Sequence, residues 1–384
     1  MDDVRPGYKH TEVGVIPEDW EISRLEEVCT LINGRGFKPH EWQTEGLPIV
    51  RIQNLNGSNE FNYYSGQFDP KILIDSGQLL FAWSGSRGTS FGPHIWYGDQ
   101  ALLNYHTWKV DVDHSKIDPD YFFHALRQLT KYIEDNAHGA SALVHTQKGE
   151  MEKFFVPLPP TLDEQRAIAD ALSEVDAEIA ALDDLIAKKR DLKQGAMQRL
   201  LTGEERLPGF SGAWEVKSIK NIAPLQRGFD LPASQIQQGQ YPVVYSNGVQ
   251  NFHNSYTCPG PGVVTGRSGT LGAIHYVEKE FWAHNTTLWV TDFKGNDPKY
   301  IYYLYLFVGF ERFGSGSGVP TLNRNDAHEY SLTIPTIFEE QGAIAAVLSD
   351  MDAEITALEA HREKTVALKQ GMMQDLLTGK VRLV

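Results

Sequence analysis

Cysteine is nearly absent: the 384-residue chain has two, Cys29 and Cys258. Two isolated cysteines exclude a disulfide scaffold and a closed zinc site, and they suit a reducing, cytoplasmic setting. Long apolar runs are missing too. The longest, IYYLYLFVGF from Ile301 to Phe310, is too short to span a bilayer, so no membrane is expected among the partners. The opening segment MDDVRPGYKHTEVG is polar and acidic, unlike a signal peptide. Positive charge is in deficit: 35 Lys and Arg against 50 Asp and Glu leave a formal net charge of −15. Taken alone, that balance points away from a nucleic-acid binder.

Catalytic signatures are equally scarce. There is no GxxxxGK[ST] phosphate loop. His94, His106, His114, His124, His138 and His145 lie without metal-ligand spacing, and no Ser-His-Asp or Cys-His arrangement stands out. The nearest approach to chemistry is DPDY (Asp118 to Tyr121) with its counterpart DPKY (Asp297 to Tyr300). Amino-methyltransferases of DNA use an Asn/Asp-Pro-Pro-Tyr/Phe loop, but the second proline is missing here both times. No glycine-rich cofactor turn precedes either copy. Both tetrapeptides read instead as helix starts, with Asp as the cap and Pro in the first turn. The expectation is a chain that is not an enzyme and holds no cofactor or metal of its own.

What is present is a duplication. The stretches beginning at Glu164 and Glu340 align without a gap over more than forty residues and are identical at over half of them. Both contain LKQG and LLTG: LKQGAMQRLLTG from Leu192 and LKQGMMQDLLTG from Leu368. Fainter echoes lie upstream. DWEISRLEEV resembles AWEVKSIKNI, LPIV before Arg51 resembles YPVV before Tyr245, and GRGF (Gly34 to Phe37) resembles QRGF (Gln226 to Phe229). The order is variable, constant, variable, constant, with boundaries at 1–158, 159–207, 208–334 and 335–384. Most of the negative excess falls in the first variable block and the two constant blocks, while the second variable block is near neutral.

The constant blocks read as long helices. Ile168, Leu172, Val175, Ile179, Leu182 and Ile186 recur at alternating steps of four and three, and Ile344, Leu348, Met351, Ile355 and Leu358 repeat the pattern. This is a heptad seam. About 40 residues at 1.5 Å each would make a rod of roughly 60 Å. An apolar seam needs a partner, and the obvious one is the other copy; an ordinary bundle helix in a larger core is the plainer reading. Gly203 and Gly379 mark the helix stops. Gly195 and Gly371 are unexpected inside a helix and suggest points of close approach, either between the helices or to a partner. The variable blocks are rich in short β-type runs separated by Gly, Asn, Ser and Asp turns, and they read as mixed α/β or α+β domains.

Polar, glycine-containing loops recur at matching places in both variable blocks. The first block offers Arg35 and Lys38, Arg51 and Asn54, Ser86, Arg87 and Thr89, His106, and His145 and Lys148. The second offers Arg227, Tyr245 and Asn247, Arg267, Ser268 and Thr270, Asn285 and Thr286, and Thr321, Asn323 and Arg324. Arg pairs with guanine, Asn and Gln with adenine, and Ser and Thr with either, so these are candidate DNA-contacting residues. An ordinary solvated surface carries the same residue types.

The layout resembles the specificity subunit of type I restriction-modification systems. The resemblance rests on GYKHTEVGVIPEDWEISRLEEV from Gly7, PLPPTLDEQRAIADALSEVDAEI and LKQGAMQRLLTG, and it covers essentially the whole chain. It implies an α+β fold: two α/β target-recognition domains separated by two long antiparallel coiled-coil helices, in a pseudo-twofold duplication. It implies a non-catalytic DNA-recognition subunit, each variable block reading one half of a split, asymmetric double-stranded site. The helix pair would be the spacer ruler and the platform for two methyltransferase subunits. S-adenosylmethionine, ATP and Mg would then belong to those partners and to restriction subunits. Positive charge in the partners would supply most of the phosphate affinity. The residues themselves leave an alternative open, a protein-only coiled-coil scaffold with two ligand-binding domains.

Overall fold

A computed structural model describes residues 5–136, 143–315 and 320–383. The chain folds as two compact units, residues 1–181 with 362–384, and residues 182–361. The first long helix, Leu162–Thr202, and the second, Phe338–Leu376, each run through the division, giving one part to each unit. No helix among the described residues is long and apolar enough to cross a membrane.

The first unit is built on an antiparallel sheet in the order Gly92–Trp96, Gln78–Ala82, Thr107–Val112, Cys29–Asn33. A second sheet has the order Asn62–Tyr64, Leu47–Val50, Ala101–Leu103, Leu73–Ile74, with its two central strands parallel. The second unit repeats this plan. Its antiparallel sheet has the order Ile274–Val277, Gly262–Gly266, Thr287–Val290, Leu225–Arg227. Its other sheet keeps three strands, Gly248–His253, Tyr241–Tyr245 and Trp282–Ala283, the last two parallel. The strands are short and rich in Val, Leu, Phe and Trp, which fit a half-buried pleat.

DPDY and DPKY open helices. Asp118 Oδ1 accepts from the Tyr121 N–H at 3.2 Å, and Asp297 Oδ1 accepts from the Tyr300 N–H at 2.7 Å. Tyr121 and Tyr300 are fully buried, so neither ring is available to stack on a base. The helices Pro119–Asn136 and Pro298–Val308 lie against the antiparallel sheets of their units.

Much of the repeated phrase is a set of contacts. In the first unit Gln165 accepts from the Asp118 N–H at 2.7 Å, and in the second Gln341 accepts from the Asp297 N–H at 2.8 Å. Buried Glu164 pairs with Arg382, and buried Glu340 pairs with Arg206. The lysine of each LKQG meets the aspartate of the other copy's DAEI: Lys369 with Asp176 in the first unit, Lys193 with Asp352 in the second. These pairs make the two helix segments within each unit run in opposite directions. Ile168 and Leu172 enter the first unit's core with Leu376 and Leu377, and Ile344 and Leu348 enter the second's with Leu200 and Leu201. Val175, Leu182, Ile186 and Ile355 are also buried, whereas Ile179, Met351 and Leu358 are half-buried.

Gly195 and Gly371 differ from the expectation of close approach between helices. A Cβ on Gly371 would meet nothing within 4 Å, and one on Gly195 would meet only the end of Arg199 at 3.4 Å. The helix-stop glycines are the tight ones. Gly379 has φ +66° and its Cβ would lie 2.5 Å from Pro17 and 3.1 Å from the fully buried Trp20. Gly203 has φ +74°, with the half-buried Trp214 ring 3.0 Å from the corresponding point. We expect Gly379→Ala to cost about 2–4 kcal/mol, left-handed strain plus overpacking, and Gly203→Ala about 1–2 kcal/mol, because its nearest contact, at 3.0 Å and not 2.5 Å, calls for a smaller displacement. Urea unfolding of the two variants checks the order; equal losses would mean that packing adds nothing to the backbone strain.

Candidate nucleic-acid interface

At one end of the strands, five backbone hydrogen bonds set the geometry of the first unit. The Gly34 N–H donates to Thr107 O (3.2 Å), Arg35 to Leu103 O (2.9 Å) and Asn104 to Val50 O (3.0 Å). Trp83 donates to His106 O (3.2 Å), and Thr146 donates to Trp83 O (3.0 Å). The second unit makes the same five. Gly228 donates to Thr287 O (3.1 Å), Phe229 to Ala283 O (2.7 Å), His284 to Val244 O (2.9 Å), Arg267 to Thr286 O (2.8 Å) and Leu322 to Arg267 O (2.8 Å). A side chain at Gly34 would collide with the Asn104 carbonyl, and one at Gly228 with the His284 carbonyl, so glycine holds the closure in both.

This frame defines which positions correspond, and it corrects one motif. GRGF against QRGF equates Arg35 with Arg227, but the bonds place Gly34 with Gly228. Arg35 therefore corresponds to Phe229, and Asn33 to Arg227. The other equivalent pairs are Arg51 and Tyr245, Trp83 and Arg267, Tyr105 and Asn285, His106 and Thr286, and Lys148 and Arg324. The frame is constant and the side chains on it are not.

Several candidates are spent within the first unit. Arg35 pairs with Glu41, and its guanidinium lies over Phe37 (4.8 Å) and Tyr64 (4.7 Å). Asn54 is buried and donates to Ser58 O (3.0 Å) and Glu60 O (2.9 Å), closing its own turn. Lys148 pairs with Glu152 at 3.4 Å. Thr89 donates to Ser86 O at 3.3 Å. Arg51 covers Trp42 at 5.1 Å, and its Nε is buried without a hydrogen-bond partner among the described residues. His106 is half-buried against Tyr105, 3.7 Å between ring centroids, and burial pushes its pKa down, which favours the neutral ring. Lys38, Ser86, Arg87 and His145 are exposed. Arg87 sits at a hairpin tip where the Gly88 N–H is held by Glu134 at 2.7 Å.

In the second unit, Asn285 donates to Asp230, which also pairs with Arg227 at 3.1 Å. Asn323 caps the helix Arg324–Glu329, accepting from the Asn325 N–H at 3.0 Å. Thr286 holds His284 Nδ1 at 3.0 Å, and the His284 ring lies 4.2 Å from that of Tyr245. Asn247, Thr270 and Arg324 are exposed; Arg267, Ser268 and Thr321 are half-buried. Arg227, Arg267, Thr321, Asn323 and Arg324 come together around one open cleft of about 460 Å³. Three arginines lining one groove, Arg227 of them held by Asp230, are suited to binding phosphates and purine edges. In the loops GASALVHTQK and GSGSGVPTLNR, residues 139–142 and 316–319 lie outside the described residues.

Exposed aromatics were missed by sequence reasoning. Tyr105 is 45% and Trp42 38% exposed, and Trp83 is half-buried beside Tyr105, 6.2 Å between ring centroids. The available signal was position: Trp83 follows the strand run QLLFA directly, and Tyr105 lies inside NYHT.

Comparison with known proteins finds the duplication as well. The family model described as "Type I restriction modification DNA specificity domain" matches twice, at residues 17–188 and 212–368. A protein of Methanocaldococcus jannaschii, proposed to be the MjaX type I restriction enzyme specificity subunit, is 27% identical over 98% of this chain and 97% of its own length. The type I restriction enzyme EcoBI specificity subunit of Escherichia coli is 29% identical over 49% of this chain and 40% of its own. The crystal structure of a type I restriction-modification system S subunit from M. genitalium has the same fold, with a TM-score of 0.63 at 16% identity, covering 93% of this chain and 96% of that one.

Proposed function

The chain belongs to the type I restriction modification DNA specificity family, and from that premise we propose that its two units read the two halves of one asymmetric, bipartite double-stranded DNA site. It is a non-catalytic specificity subunit with two target-recognition domains. The observation that carries the finer reading is the repeated five-bond frame with unlike side chains on it. A constant frame presents a surface at the same strand ends, and Arg51 against Tyr245 or Tyr105 against Asn285 presents different chemistry to the DNA. Two unlike readers specify two unlike half-sites. The continuous helices that enter both units are the spacer, and their outward faces are the docking platform for two methyltransferase subunits. Those partners hold S-adenosylmethionine; restriction subunits hold ATP and Mg. With a net charge of −15, this chain supplies base readout and leaves most phosphate neutralisation to the partners.

Methylome sequencing of cells expressing the chain with its cognate methyltransferase subunit tests the reading. We expect a single methylated motif made of two different short sequences separated by a fixed unspecified spacer. A palindromic motif, a continuous motif or none at all would contradict it.

A further inference from the structure

Trp83 and Arg267 hold the same place in their units. Each donates its backbone N–H to one strand-end loop and offers its carbonyl to a second, so both are fixed at N and O. Their side chains do opposite things. Trp83 turns inward: its Nε1 donates to Tyr105 O at 2.9 Å, and its ring stacks on Trp108 at 6.0 Å and 24°. That indole has no other donor, so it has nothing left to offer a base edge. Arg267 is half-exposed, lines the open cleft, and has no carboxylate partner among the described residues. Its neighbours differ. Arg227 is tied to Asp230, and Arg324 is exposed in the first turn of a short helix.

Resting on the reading of the second unit as a DNA half-site reader, we propose that Arg267 specifies a guanine in that half-site and that Arg324 holds a neighbouring phosphate. A guanidinium offers two parallel donors, and in the major groove guanine O6 and N7 are the pair of acceptors that match them. Base readout needs a side chain whose root is fixed, because a displacement of the root misplaces both donors at once. Arg267, clamped at both backbone groups, meets that need; Arg324, at the rim and freely solvated, suits a phosphate. The first unit has a buried-facing tryptophan at this position and takes its specificity from other residues, so a guanine in the corresponding place of the first half-site is not required.

The test uses the assembled complex with its methyltransferase subunits and the motif found for the wild type. Duplexes carry that motif and each single base-pair substitution in the second half-site. For Arg267→Ala we expect a loss of roughly ten- to a hundredfold in preference at one G·C pair, with the other positions unchanged. Arg267→Gln removes both the charge and the guanidinium fork, and since Gln pairs with adenine and not with guanine it is expected to lose the same G·C preference. Arg324→Ala should weaken all duplexes alike and lower the salt dependence of binding by about one phosphate. The proposal is overturned if Arg267→Ala weakens every duplex equally, if Arg267→Gln keeps the wild-type preference, or if neither change alters it. A wild-type complex with no bipartite motif would instead overturn the function from which this inference starts.

Discussion

Inserting seven residues after Ala180 and another seven after Thr356 is expected to lengthen the spacer of the recognised site and leave both half-site sequences as they are. Ala180 and Thr356 are equivalent points of the duplicated helices, both exposed. Seven residues restore the heptad phase, so the buried stripe that includes Ile168, Leu172, Ile344 and Leu348 stays on its face. The rod grows by about 10 Å at 1.5 Å per residue, the length of about three base pairs. Lys369 with Asp176 and Lys193 with Asp352 lie to either side of the insertions and remain whole, whereas the exposed pair Arg190 with Glu359 is separated. A single insertion, in one helix only, shifts one member of each segment pair and is expected to abolish modification. Methylome sequencing reads both results. Altered half-site bases in the double insertion would mean that the helices shape the readers, and an unchanged spacer would mean that they do not set the distance.

How much of this was legible in the chain depends on which physical signal each feature leaves. The long helices were legible because a heptad repeats, and the duplication was legible because its second copy kept over half of the letters. The DPDY and DPKY caps were legible because an Asp-Pro helix start is local chemistry. Which candidate side chains stay open and which are tied up within the unit was not. Arg35 and Arg267 look alike in sequence, each beside glycine in a polar loop, yet Arg35 ends over two aromatic rings against Glu41 and Arg267 ends in an open cleft. The carboxylate that consumes Arg35 is six residues away, but the Tyr64 ring that covers it arrives through strand pairing that no local pattern encodes. The slip between GRGF and QRGF has the same origin. Matching letters favoured the arginine, whereas the close approach to a carbonyl at Gly34 and Gly228 decides the true register. Gly195 and Gly371 mark no close approach between the helices, since both lie in open space or against one flexible arginine, and close approach to a partner is the arm of that expectation left standing.

Removing the carboxylate of Asp176 is expected to destabilise the first unit by about 2–4 kcal/mol, and removing its partner Lys369 by about 1 kcal/mol. The asymmetry comes from burial. The Lys369 side chain is 6% exposed and that of Asp176 34%. In Asp176→Ala the ammonium stays buried beside Arg127, which Asp176 also binds at 2.9 Å, so two like charges lose their shared counterion. In Lys369→Met the aspartate keeps Arg127 and a third of its surface in water. The neighbourhood is already costly for positive charge. Burial, with Lys369 next, pushes His124 down to about 4, and burial is the first cause of the lowered pKa of Lys369. A base whose folded-state pKa lies below its unfolded value binds fewer protons when folded, so its cost is lost as pH rises through that window. The deficit of Asp176→Ala is therefore expected to shrink from neutral pH towards pH ~10, where unfolded lysine also begins to deprotonate. The second unit provides the comparison. Asp352 accepts from Lys193 and from the Tyr303 hydroxyl at 2.8 Å, but the Lys193 side chain is 18% exposed, so Asp352→Ala is expected to cost about 1–2 kcal/mol. Urea unfolding at two pH values ranks the three variants; a Lys369→Met loss equal to that of Asp176→Ala would show that the pair, and not the stranded ammonium, sets the cost.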